Sequence, residues 1–274
     1  MSHTVLVTGA RGKTGSAVVR ELRRTPGISV RAGSSIDPSM EDHVRLDWHD
    51  RSTWSAAVDG VDAVYLVRPD LPEAPELVAG LIALHPTAHY VLLSEQGAAQ
   101  LAPEHWARQV EDAVMSGARR WTLLRPSWFQ QVLTDPRFYA DEIRVERVLR
   151  LPSGGGAIAW VDVRDIAAVA VAALHAPEEH HGRALTVTGP EAITVSAVAA
   201  ELSDHLGQEV RAPDVAVEGT LHGLDPWTRG ILADLYRRVR DGGFAAVSPV
   251  VEDITGREPR TVAEFVVEHL EHWR

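Results

Sequence analysis

Residues 4–23 read TVLVTGARGKTGSAVVRELR, and this stretch decides the fold. Thr4 to Val7 is a short apolar, β-branched run, the pattern of a buried parallel strand. It breaks at Thr8-Gly9, and from Ser16 to Leu22 the apolar residues Ala17, Val18, Val19 and Leu22 fall at helical spacing. Gly9, Gly12 and Gly15 punctuate the strand-to-helix turn. A dinucleotide-binding turn needs glycine there for three reasons: a tight bend, close backbone approach to a pyrophosphate, and close packing of the helix on its strand. The helix N-terminus then offers free N–H groups and a partial positive charge. The tripeptide Gly12-Lys13-Thr14 also suggests an ATPase phosphate loop, but that motif wants glycine five residues before its second glycine. Val7 stands there, inside the strand, so the ATPase reading fails. The turn assigns Gly9, Arg11, Gly12, Lys13, Thr14 and Gly15 to cofactor binding.

The remaining chain continues the pattern. Residues 28–33, 44–48, 62–67 (DAVYLV), 90–94 (YVLLS) and 120–124 read as strands, with helices expected over 51–58, 77–84 and 105–115. Such βα repeats predict a doubly wound, parallel α/β sheet of Rossmann type over residues 1–126. Beyond it, residues 127–274 are expected to form a small substrate-binding region, a lid interleaved with the end of the sheet. It carries a strand at 157–161, a helix from Asp162 to Leu174, a strand at 184–188 returning to the sheet, and a short strand at 209–211. Further helices are expected to Leu206, over 226–240 and over 262–273. Asp162 reads as an N-cap, and Thr194 or Ser196 as another.

Composition bounds the function. At 274 residues the chain can bury a large core, and 45% hydrophobic with 24% charged residues is ordinary globular composition. A formal net charge of -11 argues against a nucleic-acid surface. The absence of cysteine excludes disulfides and thiol catalysis. With the first strand read from Thr4, no signal peptide is expected, and no apolar run reaches membrane-spanning length. A cytoplasmic location is expected. The expected partner is a small molecule, with a homodimer or a protein partner left open. No metal is expected among the 13 histidines, because His180-His181 and His269/His272 lack a third ligand.

At the end of the second strand an Asp or Glu would grip the adenosine ribose and favour NAD. The sequence gives Ser34 and Ser35 instead, with the first acid at Asp37. Arg11 and Arg31 are the nearest cations for a 2′-phosphate, so NADP(H) is favoured over NAD(H). Asp47 reads either as an acceptor for the adenine amino group or as a cap for the helix beginning at Arg51. Val67 and Ser94, at the ends of their strands, complete the cofactor set.

Seven motifs in order carry a resemblance: Val7-Thr8-Gly9-Ala10-x-Gly12-x-Thr14-Gly15, Asp47-Trp48, Gly60-Val61-Asp62-Ala63-Val64, Leu124-Arg125-Pro126-Ser127-Trp128-Phe129, Val161-Asp162-Val163-Arg164-Asp165-Ile166-Ala167, Thr188-Gly189-Pro190-Glu191 and Thr255-Gly256-Arg257-x-Pro259-Arg260. The chain resembles the NmrA-like branch of the atypical short-chain dehydrogenase/reductases over nearly its whole length. Within that branch it is most similar to the bacterial group akin to ergot-alkaloid iminium reductases. The resemblance implies an NAD(P)-binding Rossmann fold in a family of quinone reductases, reductases of specialised metabolism and cofactor-binding regulators without turnover.

Typical members of the wider superfamily use Tyr-x-x-x-Lys as proton donor and ribose anchor. None of the four tyrosines here, Tyr65, Tyr90, Tyr139 and Tyr236, has a lysine four residues later. The helix where the dyad belongs reads Pro103-Glu104-His105-Trp106-Ala107-Arg108-Gln109-Val110-Glu111. Hydride transfer to a cation such as an iminium needs no acid, only positioning and a field that tolerates positive charge. Glu95, Glu104 and His105 are the candidate catalytic residues. Glu104 equally suits a helix cap, His105 a solvated surface, and Glu95 a partner for an arginine. Gln96, Trp106, Trp128, Phe129 and Gln130 are expected to line a substrate pocket. The reading is an NADPH-dependent reductase of an iminium, quinone or activated alkene. A non-redox cyclase or isomerase, or a non-catalytic redox sensor, remains the alternative.

Overall fold

Strand β1 (His3–Val7) is buried from Val5 onward, with Val5, Leu6 and Val7 fully inaccessible, as its β-branched run requires. The computed structural model describes residues 3–36 and 42–274; Asp37 lies outside the described residues. After β1 come α1 (Lys13–Leu22), β2 (Ile28–Ser34), β3 (His43–Arg45), α2 (Trp54–Val58), β4 (Ala63–Val67), α3 (Ala74–Leu84), β5 (His89–Leu93), α4 (Trp106–Gly117) and β6 (Arg120–Pro126). The chain continues through α5 (Ala140–Glu146), β7 (Ala157–Ile158), α6 (Val163–His175), α7 (Pro177–His180), β8 (Arg183–Val187) and β9 (Ile193–Thr194). It ends with α8 (Val195–Leu206), α9 (Pro226–Arg240), α10 (Val250–Thr255) and α11 (Val262–Glu268).

The main sheet has the order β3-β2-β1-β4-β5-β6-β8, and each pairing from β3 through β6 is parallel. This is the expected Rossmann-like α/β architecture, with its order reversing between β1 and β4, where doubly wound sheets bind ligands.

By internal contacts the chain divides into two compact units, residues 1–126 with 166–186, and residues 127–165 with 187–274. In the first, Trp54 is buried in a cluster with Leu46, Val78, Leu81 and Ile82. Its indole edge meets Trp48 at 5.6 Å and its Nε1 donates to the Asp47 carbonyl at 2.7 Å, so the polar end of the ring is satisfied. This explains why β3 stops at Arg45 rather than at Trp48. Asp47 N donates to Thr53 Oγ1 and His49 N to Asp47 Oδ1, turning the chain out of the ladder. The helix expected over 51–58 opens with a 3₁₀ turn at Arg51–Thr53, and its cap is Asp50, which accepts from Ser52 N.

At the opposite, N-terminal edge of the sheet, His89 is fully buried. Its Nε2 lies 2.9 Å from Thr122 Oγ1, and the Thr122 hydroxyl donates to the His180 carbonyl at 2.8 Å. The threonine proton is thus committed, and Nε2 must be the donor; the buried Nδ1 has no partner. Burial, reinforced by Arg120, His181, His180 and His3, pushes the imidazole down to about 4.

The second unit has its own core, which includes Trp160, Trp273 and Phe265, with Trp273 Nε1 donating to the Leu133 carbonyl at 2.8 Å. Thr194 caps α8 as expected. Asp162 accepts from Arg164 N at the start of α6. The strand expected over 157–161 reduces to Ala157–Ile158, paired antiparallel with β9. That over 209–211 reduces to a single bridge between Arg211 and Val148. The terminal helix stops at Glu268, and Leu270–His272 form a 3₁₀ turn. Residues 127–151 contain a 3₁₀ turn at Gln130–Val132 and the short helix α5.

Candidate functional site

The glycine turn is built at the C-terminal end of β1. Gly9 adopts φ +60°, a conformation that side-chain-bearing residues rarely take. Gly12 N closes the bend onto the Gly9 carbonyl at 2.9 Å. At Gly15 a Cβ would sit 2.2 Å from the Gly9 oxygen and 2.8 Å from its carbonyl carbon. That contact is why α1 can begin so close to β1. Thr8 Oγ1 accepts from Val67 N at 2.7 Å, pinning the turn to the end of β4, and Ala10 N reaches Gly33 O at 3.1 Å on β2.

Gly12 is the N-cap of α1 and brings no side-chain hydrogen bond to the helix terminus; no acid occupies its first turn. The first backbone N–H groups of a ten-residue helix are left for an anion. Gly12 is exposed beside them, with only the Gly9 oxygen close to where its Cβ would stand. The residues present therefore fit a dinucleotide pyrophosphate. Thr14 and Gly15 are buried in the helix and Lys13 is half-buried. Arg11 is exposed and makes no hydrogen bond or ion pair among the described residues. Ser34 is buried at the end of β2, where its Oγ accepts from Ile36 N; Ser35 is exposed.

Arg31 is not available as a second cation for this turn. Its Nη1 donates to the carbonyls of Ala57 and Asp59, at 3.2 and 2.6 Å, where α2 ends. Asp47 spends its carboxylate on His49 N within its own turn.

At the C-terminal ends of β4, β5 and β6 two ion pairs dominate. Arg68 binds Glu95 at 3.0 Å and the Leu93 carbonyl at 3.0 Å, and its guanidinium lies 4.4 Å above the Trp106 ring. Trp106 Nε1 is held by the Leu71 carbonyl at 2.7 Å. Glu95 is therefore neutralised by Arg68 rather than standing free as an anionic field, and Trp106 is the floor of that pair. The second pair is Glu111 with Arg125. Glu111, on α4, is fully inaccessible and takes Nε and Nη2 of Arg125 at 2.8 and 2.7 Å, a bidentate fork. The same Oε1 accepts the Ser94 hydroxyl at 2.5 Å.

The other candidates fall elsewhere. His105 caps α4, its Nδ1 accepting from Ala107 N at 3.2 Å, so that nitrogen carries no proton to give. Glu104 is exposed before the helix and makes no hydrogen bond or ion pair among the described residues. Gln96 is buried, with its N–H donating to the Pro126 carbonyl.

In the second unit Trp128 stacks on Tyr236 at 5.8 Å and meets Phe244 edge-on at 5.6 Å. The Tyr236 and Tyr139 hydroxyls are 3.1 Å apart, and burial raises both phenols above their ordinary range. Gln130 is fully buried, its amide donating to the Arg260 carbonyl at 3.2 Å and its N–H to that of Val161, so it ties backbone rather than facing open space. Phe129 is half-buried against the same core.

Arg68, Glu111 and Arg125 were not singled out from sequence as site residues. Arg68 and Arg125 were visible as arginines followed by proline at strand ends. Their partners lie 27 and 14 residues away, a pairing no local spacing encodes. Among the described residues no group of three or more His, Asp or Glu can hold a metal, and no helix is long and apolar enough to cross a membrane.

A doubly wound sheet whose first turn is a glycine-built, uncapped helix N-terminus defines a nucleotide-binding α/β protein. The relatives narrow this. The chain is 34% identical over 282 residues to an NAD(P)H azoreductase of Xenophilus azovorans, covering 97% of both chains. It is 35% identical to a (4-alkanoyl-5-oxo-2,5-dihydrofuran-3-yl)methyl phosphate reductase of Streptomyces griseus, covering 97% of this chain and 98% of that one. Among solved structures, the quinone oxidoreductase QOR2 of Escherichia coli in complex with NADPH superposes with a TM-score of 0.78 at 22% identity, over 97% of this chain and 99% of that one. No family model matches the chain. The chain belongs to the NmrA-like branch of the atypical short-chain dehydrogenase/reductases.

Proposed function

We propose that this chain is an NADPH-dependent reductase of a small, electron-poor acceptor: an iminium ion, a quinone, an azo compound or an activated alkene. The observation that carries the reading is the glycine turn with its uncapped helix N-terminus, in a chain whose helix α4 holds no Tyr-x-x-x-Lys pair. Relatives named as azoreductase and furanone phosphate reductase support it. Bound at the turn, the cofactor supplies a hydride. The N-terminus of α1 holds its phosphates, and Gly9, Gly12 and Gly15 let the backbone approach them.

The site's own acid inventory then selects the acceptor. The Ser94 proton is committed to Glu111, His105 Nδ1 is an acceptor, and Glu95 is paired. Acceptors that need no protonation during hydride transfer, or that collect their proton afterwards from water, suit such a site.

NADP(H) is favoured over NAD(H) because Ser34 and Ser35 stand where an acid would repel a 2′-phosphate, and exposed Arg11 follows Ala10, whose N–H reaches the Gly33 carbonyl just before them. Arg11→Ala is expected to weaken NADPH binding about tenfold, the worth of one charge-assisted contact, and to leave NADH unchanged. Equal losses for both cofactors, read by calorimetry, would remove Arg11 from the 2′-phosphate.

The test of the function is consumption of NADPH by purified protein offered an azo dye, a benzoquinone, a cyclic iminium and an unsaturated lactone. Oxidation of NADPH with at least one of them is expected. Tight binding without turnover across the panel would point to a sensor. Product formed with no NADPH consumed would point to non-redox chemistry.

A further inference from the structure

The buried ion pair between Glu111 of α4 and Arg125 of β6 fixes the side chain of Ser94, the residue that follows β5. Ser94 has one proton, and at 2.5 Å from Glu111 Oε1 that proton is committed to the carboxylate. Glu111 is itself immobilised, fully buried and gripped at both oxygens by the fork of Arg125. The hydroxyl can therefore neither rotate nor donate elsewhere. What it offers at the C-terminal end of β5 is a fixed oxygen with lone pairs only. Beyond Glu111, no other side chain accepts or donates at Ser94 Oγ among the described residues.

We propose that Glu111 and Arg125 are positioning residues that convert Ser94 into an obligate hydrogen-bond acceptor, dedicated to a donor group of the bound nicotinamide dinucleotide, a ribose hydroxyl or the carboxamide N–H. This rests on the reading that the glycine turn binds that cofactor. The edge of the sheet is the right place for it: Ser94 follows Leu93, the last residue of β5, on the side where Val67 ends β4 and the turn leaves β1. The physical reason for so costly a device is control of the proton. A free serine hydroxyl is as ready to donate as to accept. Tied to a carboxylate it is polarised, its oxygen gains negative charge, and a donor placed against it is bound more tightly. An acceptor so fixed also cannot compete as a proton source for the substrate.

The test is direct titration of NADPH into purified variants, followed by its fluorescence, with thermal unfolding measured alongside. Ser94→Ala is expected to raise Kd about tenfold, the value of one oriented hydrogen bond. Glu111→Gln keeps the shape of the side chain but can present an N–H to Ser94, freeing the hydroxyl to turn; it is expected to raise Kd by a similar factor. The double variant is expected to bind no worse than Ser94→Ala, because both changes remove the same contact. A purely structural Glu111 would instead lower the unfolding temperature while leaving Kd within twofold of wild type. That result, or losses that multiply in the double variant, overturns the proposal. If Glu111→Gln does not yield folded protein, Arg125→Lys replaces it: the charge stays, the bidentate fork is lost, and the same pattern is expected. Failure of the wild-type protein to bind NADPH at all would strike the cofactor reading, whereas binding that ignores Ser94 and Glu111 would strike this one alone.

Discussion

Replacing Gly15 with alanine is expected to abolish useful cofactor binding and to destabilise the first unit. The added Cβ would lie 2.2 Å from the Gly9 oxygen, 2.8 Å from its carbonyl carbon and 3.1 Å from Ala10 Cα. All three are backbone atoms of the turn itself, so no flexible side chain can yield. The N-terminus of α1 must retreat from β1 by about an ångström, and overpacking of this kind costs about 1–3 kcal/mol. The same retreat drags the uncapped N–H groups away from the phosphates. A misplacement on that scale costs about a hundredfold in productive contact, and this is the expected loss of NADPH affinity. Gly230→Ala is the control. Gly230 lies exposed inside α9 with nothing within 4 Å of its Cβ position. Helix propensity alone predicts a gain of about 1 kcal/mol there, with no change in Kd. Titration of NADPH and urea unfolding of the two variants decide the matter; a Gly15→Ala protein that binds normally would mean that the turn does not depend on this contact.

The second large effect is on stability against acid. His89 is neutral in the folded protein, its imidazole pushed from 6.5 down to about 4 chiefly by burial. In the unfolded chain it takes up a proton near 6.5, so between these values the unfolded state binds more protons. Stability is then intact above pH 6.5, falls as pH is lowered through the window, and stops falling on this account below about 4. A displacement of this size corresponds to about 3 kcal/mol, a large share of the stability of an ordinary domain. His89→Gln keeps a donor for Thr122 but has nothing to titrate. The wild-type protein is expected to lose about 3 kcal/mol more than this variant between pH 7 and pH 4, measured by urea unfolding at each pH. His180, pushed down by burial and by Arg183, titrates in both proteins and cancels in the comparison. So do Asp50, Asp225 and Glu264, which hydrogen bonds hold below the usual carboxylate range. Parallel curves for the two proteins would show that the His89 site opens to water before it protonates.

These two residues show how unevenly the sequence speaks. Gly15 was legible because glycine at that spacing, between a β-branched run and a helical one, has few uses. His89 was invisible: one histidine among 13, at the start of a strand, with no local sign that Thr122 and the chain at His180 would close over it. The same contrast runs through the elements. The strands β1, β4 and β5 were readable from apolar runs, since burial over most of their length leaves little other composition. Strand β3 was read too long because the pull of Trp54 on the Asp47 carbonyl is tertiary. Helix α1 was read too short because Lys13, Thr14 and Gly15 look like loop residues, and only the folded backbone shows the helix beginning directly after Gly12.

The candidate site divides along the same line. The sequence by itself determined the parallel nucleotide-binding sheet, the glycine turn and the absence of a Tyr-x-x-x-Lys pair, because each depends on residue type at short, fixed spacing. Only the tertiary structure decided which charged groups are spent. It paired Glu95 with Arg68, Glu111 with Arg125 and Ser94, and Arg31 with the end of α2. A charge near the end of a strand can serve a ligand or a neighbour, and the energies of those two fates are similar. Which one prevails is set by what the fold brings within hydrogen-bond distance, and that distance is not written along the chain.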